Sequence, residues 1–322
     1  MLYSIVLLFP LLLASAQPDR LTDLVEEMRQ FTFAGDQPAV GRLIPLLLDQ
    51  LAKPHPKAAE AWNQAGVYFH TRGDYTEAER AYQRGIQLLE KEGNPTGGLE
   101  LLNLNLASLY LAIGQRAGHA EVLCRRALKQ AIERYGPASP ELANFISALG
   151  AARQQQSDRK DARQYFHQAL VLAGNSREGK LGKSIVLVNL GVLFAQDKEW
   201  IPARDALLQS LSLADSILGP AHPDLIRVHL NLARVYEHLK DWRLARASIT
   251  TARKITEVRL SPEHPLMAEI LDTSASILRK TGHSREARDL RRQAKAITAA
   301  LPRDPASQAR IHIADLMLSG YP

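Results

Sequence analysis

Residues 62–85, WNQAGVYFHTRGDYTEAERAYQRG, carry the pattern that decides the fold of this 322-residue chain. A small residue, Gly66, lies inside an apolar stretch, and Gly73 begins a polar break of the kind that ends helices. Small residues then return at Ala78 and Gly85. Because small side chains let two helix backbones approach closely, this spacing predicts a pair of antiparallel helices joined by a short turn.

The same pattern occurs six times. Its first small residue recurs at intervals of 41, 43, 41, 42 and 42 residues, at Gly66, Ala107, Gly150, Gly191, Ala233 and Ala275. A second follows after 12 residues, with one slip of a single position, at Ala78, Ala120, Ala162, Ala203, Ala245 and Ala287. Four positions later the residues are mostly apolar, in the order Tyr82, Cys124, Phe166, Leu207, Ile249 and the exception Arg291. Six copies at this spacing predict an array of stacked helix pairs.

The linkers between repeats carry a second pattern. Residues 218–224 read LGPAHPD and residues 260–266 read LSPEHPL, which places His222 and His264 42 residues apart. Gly ends a helix and Pro is tolerated in the first turn of the next one. Since both His residues recur with the repeat, we expect them to shape the linkers rather than to act in catalysis.

The series from Trp62 through Gly66, Gly73 and Ala78 to Tyr82 resembles the tetratricopeptide repeat. The 42-residue period with its Gly-Pro-x-His-Pro linkers resembles the kinesin-light-chain-like subclass. The resemblance covers six repeats over residues 58–299. It implies an all-α, right-handed α-solenoid of antiparallel helix pairs, whose first helices line a concave groove that binds peptides or protein segments.

The segments outside the repeats have characters of their own. Residues 2–13 are almost wholly apolar and end in Ala14-Ser15-Ala16, so residues 1–16 are predicted to be a signal peptide cleaved after Ala16. No Lys or Arg precedes Arg20, so the positively charged start of a signal peptide is missing. An uncleaved anchor or a misassigned start codon would explain this and remains an alternative. Residues 17–57 are interpreted as a capping helix pair. The tail, 300–322, either caps the last repeat or lies back along the groove.

These features predict a protein exported to the periplasm or the cell exterior, with no transmembrane span in the mature chain. Its net charge of +6 is matched by residues 221–300, where fifteen Lys or Arg face nine Asp or Glu. We interpret these charges as a solvated helix face. The alternative is that this basic C-terminal third binds an acidic protein, a membrane surface or nucleic acid; export argues against nucleic acid.

No catalytic or metal-binding motif is visible in the sequence. The ten His residues form no metal-ligand spacing, and Cys124 is the single cysteine. The sequence therefore predicts a non-catalytic binding scaffold without cofactor or metal, whose partner is a protein or peptide of unidentified class.

The candidate binding residues lie on the first helix of each repeat. Asn105, Asn189 and Asn231 precede the apolar-small pair, and an amide there can both donate to and accept from an extended peptide backbone. Arg227, Arg234 and His238 are expected on the same face of the fifth repeat. The alternative is that Asn at this position orders neighbouring helices.

Overall fold

A computed structural model of the protein describes residues 19–94, 97–114 and 116–300. The predicted signal peptide and residues 301–322 of the predicted tail lie outside the described residues. Within these ranges the chain forms helices and no strand. The helices are α1 (Arg20–Phe33), α2 (Gln37–Gln50), α3 (Ala58–Arg72), α4 (Tyr75–Glu92), α5 (Leu99–Ile113), α6 (Ala117–Tyr135), α7 (Leu142–Gln155), α8 (Arg159–Leu172), α9 (Arg177–Gln196), α10 (Trp200–Leu218), α11 (Leu225–His238), α12 (Trp242–Arg259), α13 (Pro265–Lys280) and α14 (Ser284–Ala300).

Consecutive helices form seven pairs within the described residues, from pair 1 (α1 and α2) to pair 7 (α13 and α14). In every pair the first helix packs against the second, and the second packs against the first helix of the next pair. Neighbouring first helices also touch from α1 to α13. This arrangement confirms the predicted all-α solenoid. The predicted boundary at residue 57 falls between α2 and α3, and the capping role of pair 1 stays a prediction.

Local side-chain chemistry fixes where the helices begin and end. The carboxylate of Asp36 accepts from Ala39 N at 3.0 Å, and that of Asp241 accepts from Leu244 N at 3.0 Å. Such caps satisfy amides that have no partner inside the helix. Among the described residues, the turn inside each pair contains one residue with a left-handed backbone (φ between 61° and 89°): Gly35, Gly73, Gly114, Ser157, Lys198, Lys240 and Gly282.

The repeated small residues form the seam between the two helices of a pair. Ala78, Ala120, Ala162, Ala203 and Ala245 are 0% exposed. Where the earlier small residue is Gly, a large side chain lies against it. A Cβ on Gly66 would lie 2.4 Å from Tyr82 Cε1, and one on Gly150 would lie 2.6 Å from Phe166 Cε1.

Repeats with Ala at that position have Cys124, Ile249 or Arg291 instead of an aromatic residue. In the two repeats that carry an aromatic residue the earlier position is therefore Gly, because a close-packed interior has no room for both a methyl group and a ring.

The solenoid turns tightly enough for its beginning to touch its later linkers. The end of α1 contacts the linker between α10 and α11, where a Cβ on Gly35 would lie 2.4 Å from Pro223 Cδ. The end of α3 contacts the linker between α12 and α13, where a Cβ on Gly73 would lie 2.6 Å from Pro265 Cγ. Pairs 1 and 2 thus lie one superhelical turn away from the start of pairs 6 and 7.

Candidate functional site

A cavity of about 100 Å³ lies where the start of the solenoid meets its later repeats. The ends of α1 and α3 form one wall, and α9, α11 and the two His-Pro linkers form the other. Its apolar lining comes chiefly from Val67, Leu181, Ile185, Val188, Val228 and Leu266. Polar groups are interspersed with these, among them Thr71, Ser184, Asp224 and Arg227. A mostly apolar cavity with a few polar groups is the usual form of a ligand site.

His222 forms part of this wall and connects two distant parts of the chain. Its Nδ1 accepts from Asp224 N at 3.2 Å, so the proton of the neutral ring resides on Nε2. Nε2 then donates to the carbonyl of Phe33, at 3.1 Å. The acceptor is the last residue of α1, where helix carbonyls carry partial negative charge.

His264 repeats this arrangement in the next linker. Its Nδ1 accepts from Leu266 N at 3.2 Å, which caps α13, and its Nε2 donates to the carbonyl of Thr71 near the end of α3. Both imidazoles are at least nine-tenths buried. The sequence predicted a role in linker geometry for both residues; the structure adds a contact across the superhelical turn.

Two of the predicted site residues lie between neighbouring first helices. Asn105 Nδ2 donates to Asn63 Oδ1 at 2.8 Å, and Asn189 Nδ2 donates to Ser147 Oγ at 3.2 Å. Asn105 is 4% exposed and Asn189 is 1% exposed. Each bond joins residues 42 apart, so it ties one repeat to its predecessor in register. These contacts correspond to the alternative interpretation, in which Asn orders adjacent helices.

The other four predicted residues are spread along α11. Arg227 lines the cavity, whereas Asn231 is half-buried one turn further on. Arg234 pairs with Glu269 of α13 at 2.8 Å. His238, at the end of α11, stacks on Trp200 with ring centroids 3.9 Å apart and an interplanar angle of 6°. Arg227 is thus the member of the predicted set that the structure brings to the cavity.

Sequence reasoning did not select the residues that build most of the cavity. Val67 and Thr71 come from pair 2, and Leu181 and Ser184 come from α9, which lies about 110 residues later in the chain. Nothing in the repeat pattern states that these helices meet. Asn63 and Ser147 were also missed, although their 42-residue spacing from Asn105 and Asn189 would have identified them.

Two ionisable groups near the cavity have shifted pKa values. Burial raises the pKa of the Asp224 carboxyl, and the nearby His222 opposes that shift. Burial lowers the pKa of His229 on α11, while Asp215 partly opposes it. Both shifts disfavour the charged form, as expected where surrounding protein replaces water.

The described residues contain no group of three or more His, Cys, Asp or Glu side chains arranged to hold a metal ion. In the same ranges, no helix combines the length and the apolar character that a membrane span requires. Cys124 is buried in the seam of pair 3, and burial raises the pKa of its thiol to about 12.

Comparison with known proteins assigns the later repeats. Residues 183–257 and 227–300 each match the family model described as tetratricopeptide repeat. Residues 183–300 are tetratricopeptide repeats. The predicted recognition of this repeat is therefore confirmed, and pairs 1 to 4 continue the tetratricopeptide-like arrangement by structure. None of the curated proteins compared with the chain matches it.

Solved structures share the tetratricopeptide-like fold over most of the chain. NprR in complex with its cognate peptide NprX has a TM-score of 0.66 and 14% identity, covering 90% of this chain and 85% of that one. The Cut9–Hcn1 hetero-tetramer of the APC/C has a TM-score of 0.59 and 16% identity, covering 91% and 48%. The apo form of the quorum sensor NprR from B. thuringiensis has a TM-score of 0.54 and 12% identity, covering 86% and 87%.

Proposed function

We propose that this protein is a non-catalytic scaffold that binds a peptide or protein segment against the first helices of its solenoid. The cavity between α3, α9 and α11 carries this proposal, because it combines an apolar lining with a cation, Arg227, and an acid, Asp224. An apolar side chain of the ligand would fill the cavity, and its backbone or a charged group would pair with the polar rim. The tetratricopeptide fold supports the proposal, since NprR, which shares it, was solved with a bound peptide.

The volume of the cavity limits what it accepts. About 100 Å³ suits one apolar side chain and not a whole peptide. Most of the ligand would therefore lie outside it, along the first helices. Asn105 and Asn189 should contribute little to ligand binding. Their Nδ2 atoms already donate to the preceding repeat, which holds both side-chain amides in place.

The test is selection of binders from a random peptide library, followed by calorimetric titration of the best peptide. We expect Arg227→Ala to weaken binding at least tenfold. The matched control is Arg243→Ala, which removes an exposed arginine of α12 outside the cavity lining. Equal affinity of the wild type and Arg227→Ala would exclude the cavity as the binding site. The triple change of Asn105, Asn189 and Asn231 to Ala, checked for folding by circular dichroism, tests the predicted amide set in the same titration.

A second candidate function rests on the basic surface of α12 and α14. Nine basic side chains there are exposed: Arg243, Arg246, Arg253, Lys254, Arg285, Arg288, Arg291, Arg292 and Lys295. Such a surface would attract an acidic protein or an anionic membrane. Titration with heparin at low and moderate salt tests it, since steep salt dependence supports electrostatic binding and insensitivity to salt contradicts it.

Export belongs to the proposal as well. It rests on the apolar run and the Ala14-Ser15-Ala16 site at the start of the chain. Expression with the full N-terminus, followed by cell fractionation and N-terminal sequencing, should give a mature chain beginning at Gln17. An intact N-terminus on protein recovered from the cytosol would contradict this.

A further inference from the structure

Two consecutive linkers make the same contact with two consecutive first helices. His222 donates to Phe33 O across 189 residues of sequence, and His264 donates to Thr71 O across 193. The residue after each His packs on the turn that follows the contacted helix, with Pro223 against Gly35 and Pro265 against Gly73. A contact that is repeated in register is a property of the repeat and not an accident of one loop.

A third His-Pro linker adopts the same local geometry, although its imidazole makes no contact with a helix one superhelical turn away. His55, before α3, accepts from Lys57 N through Nδ1 at 3.0 Å, which is the same local geometry. Its Nε2 faces Asp19 at 2.9 Å, at the start of α1 and not at a helix end one turn away. The linker therefore folds in the same way whether or not its Nε2 reaches a distant carbonyl.

Several contacts cross the turn. They include the two imidazole–carbonyl bonds, the two Pro–Gly contacts and the Arg177 guanidinium, which lies 4.6 Å from the centroid of the Phe33 ring. Neighbouring pairs, by contrast, are joined by continuous apolar cores. One hydrogen bond shifts the equilibrium between a closed and an open superhelix only roughly fivefold. Contacts of this kind can therefore break while every helix pair stays folded.

We propose that the His-Pro linkers at 222–223 and 264–265 form a latch, which holds pairs 1 and 2 against the start of pairs 6 and 7 and covers the cavity. Release of the latch leaves each pair packed on its neighbours and lets the superhelix open. The apolar lining, including Val67 on one wall and Val188 on the other, then becomes accessible to solvent. The latch does not depend on the peptide proposal, because it concerns the chain without a ligand.

The test measures the distance between the two sides of the latch. Spin labels on Asp49→Cys of α2 and Lys254→Cys of α12 occupy exposed positions, while Cys124 is buried and escapes labelling. Double electron–electron resonance should give one narrow distance distribution for the otherwise wild-type chain. We expect His222→Ala with His264→Ala to broaden the distribution and shift it to longer distances. His55→Ala is the matched control and should leave it unchanged.

A second pair of variants opens the latch without touching the imidazoles. Gly73→Ala places a Cβ 2.6 Å from Pro265 Cγ at φ 82°. Gly93→Ala carries the same backbone penalty at φ 74°, also at a helix C-cap, with no atom within 4 Å of its Cβ. We expect Gly73→Ala to lengthen the measured distance and Gly93→Ala to leave it unchanged.

Access to the cavity is measured with 8-anilinonaphthalene-1-sulfonate. This dye fluoresces strongly in apolar surroundings, and we expect its fluorescence to rise severalfold with the double His variant and to stay at the wild-type level with His55→Ala. Unchanged distances in both the double His variant and Gly73→Ala would overturn the latch. Longer distances with unchanged dye binding would overturn its role in covering the cavity.

Discussion

The close contact between Gly150 and Phe166 predicts that Gly150→Ala destabilises the protein, although Ala is the better helix former. Exchange of Gly for Ala inside a helix contributes about 1 kcal/mol of stability through propensity. The added Cβ would lie 2.6 Å from Phe166 Cε1, well inside contact distance. Phe166 is 0% exposed, so the overpacking cost should be near the upper end of its range, about 3 kcal/mol. The net expectation is a loss of about 2 kcal/mol.

Urea unfolding followed by circular dichroism measures this change as a lower midpoint at constant slope. Gly118→Ala in α6 is the control, because no atom lies within 4 Å of its Cβ. We expect that variant to be as stable as the wild type or more stable by up to about 1 kcal/mol. The pairing of volumes is tested by adding Phe166→Leu to Gly150→Ala, which should recover at least about 1 kcal/mol relative to additivity. Additive effects within about 0.5 kcal/mol would refute the compensation argument.

Three further predictions concern other buried groups. Asn189→Ala removes a buried hydrogen bond to Ser147 and should lower the free energy of unfolding by about 1–2 kcal/mol. Asn231→Ala, at a half-buried position, should lower it by less, and urea titration compares the two variants. The Cys124 thiol should not react with 5,5′-dithiobis(2-nitrobenzoate) at pH 8 until urea unfolds the protein, because its pKa is raised to about 12 and only the thiolate is nucleophilic. The pKa of His229 is lowered in the folded protein, so the unfolded chain binds more protons below about pH 6.5. Stability should therefore fall as the pH decreases through that range. In thermal unfolding scans, His229→Gln should make the midpoint depend less steeply on pH.

The sequence predicted the helix pairs well because their packing is local. Ala162 and Ala203, chosen for their spacing alone, are 0% exposed in the seams. The site was harder to predict, because the column of hydrogen-bonding residues on the first helices runs at a 42-residue spacing through Asn63, Asn105, Ser147 and Asn189. Counting from the small residues, which slip by one position between repeats, selected Asn105 and Asn189 and missed Asn63 and Ser147.

The contact between the two ends of the array could not be predicted from the pattern. Each repeat adds a small rotation relative to its predecessor, and the position of pair 6 relative to pair 1 is the sum of five such rotations. A periodic sequence predicts that neighbouring repeats pack together, but it does not determine the sum of the rotations between them. His222 and His264 are visible in the sequence as a recurring feature, but their partners at Phe33 and Thr71 are known from the structure.

The repetition of the latch has a consequence for how such a chain can change its length. A deletion of one 42-residue unit between pairs 2 and 6 would bring the linker of His264 to the position that the linker of His222 occupies now, opposite Phe33. The same imidazole–carbonyl contact would then form with different members. Loss of one repeat would therefore keep one imidazole–carbonyl contact between successive turns, so a shorter array could still close.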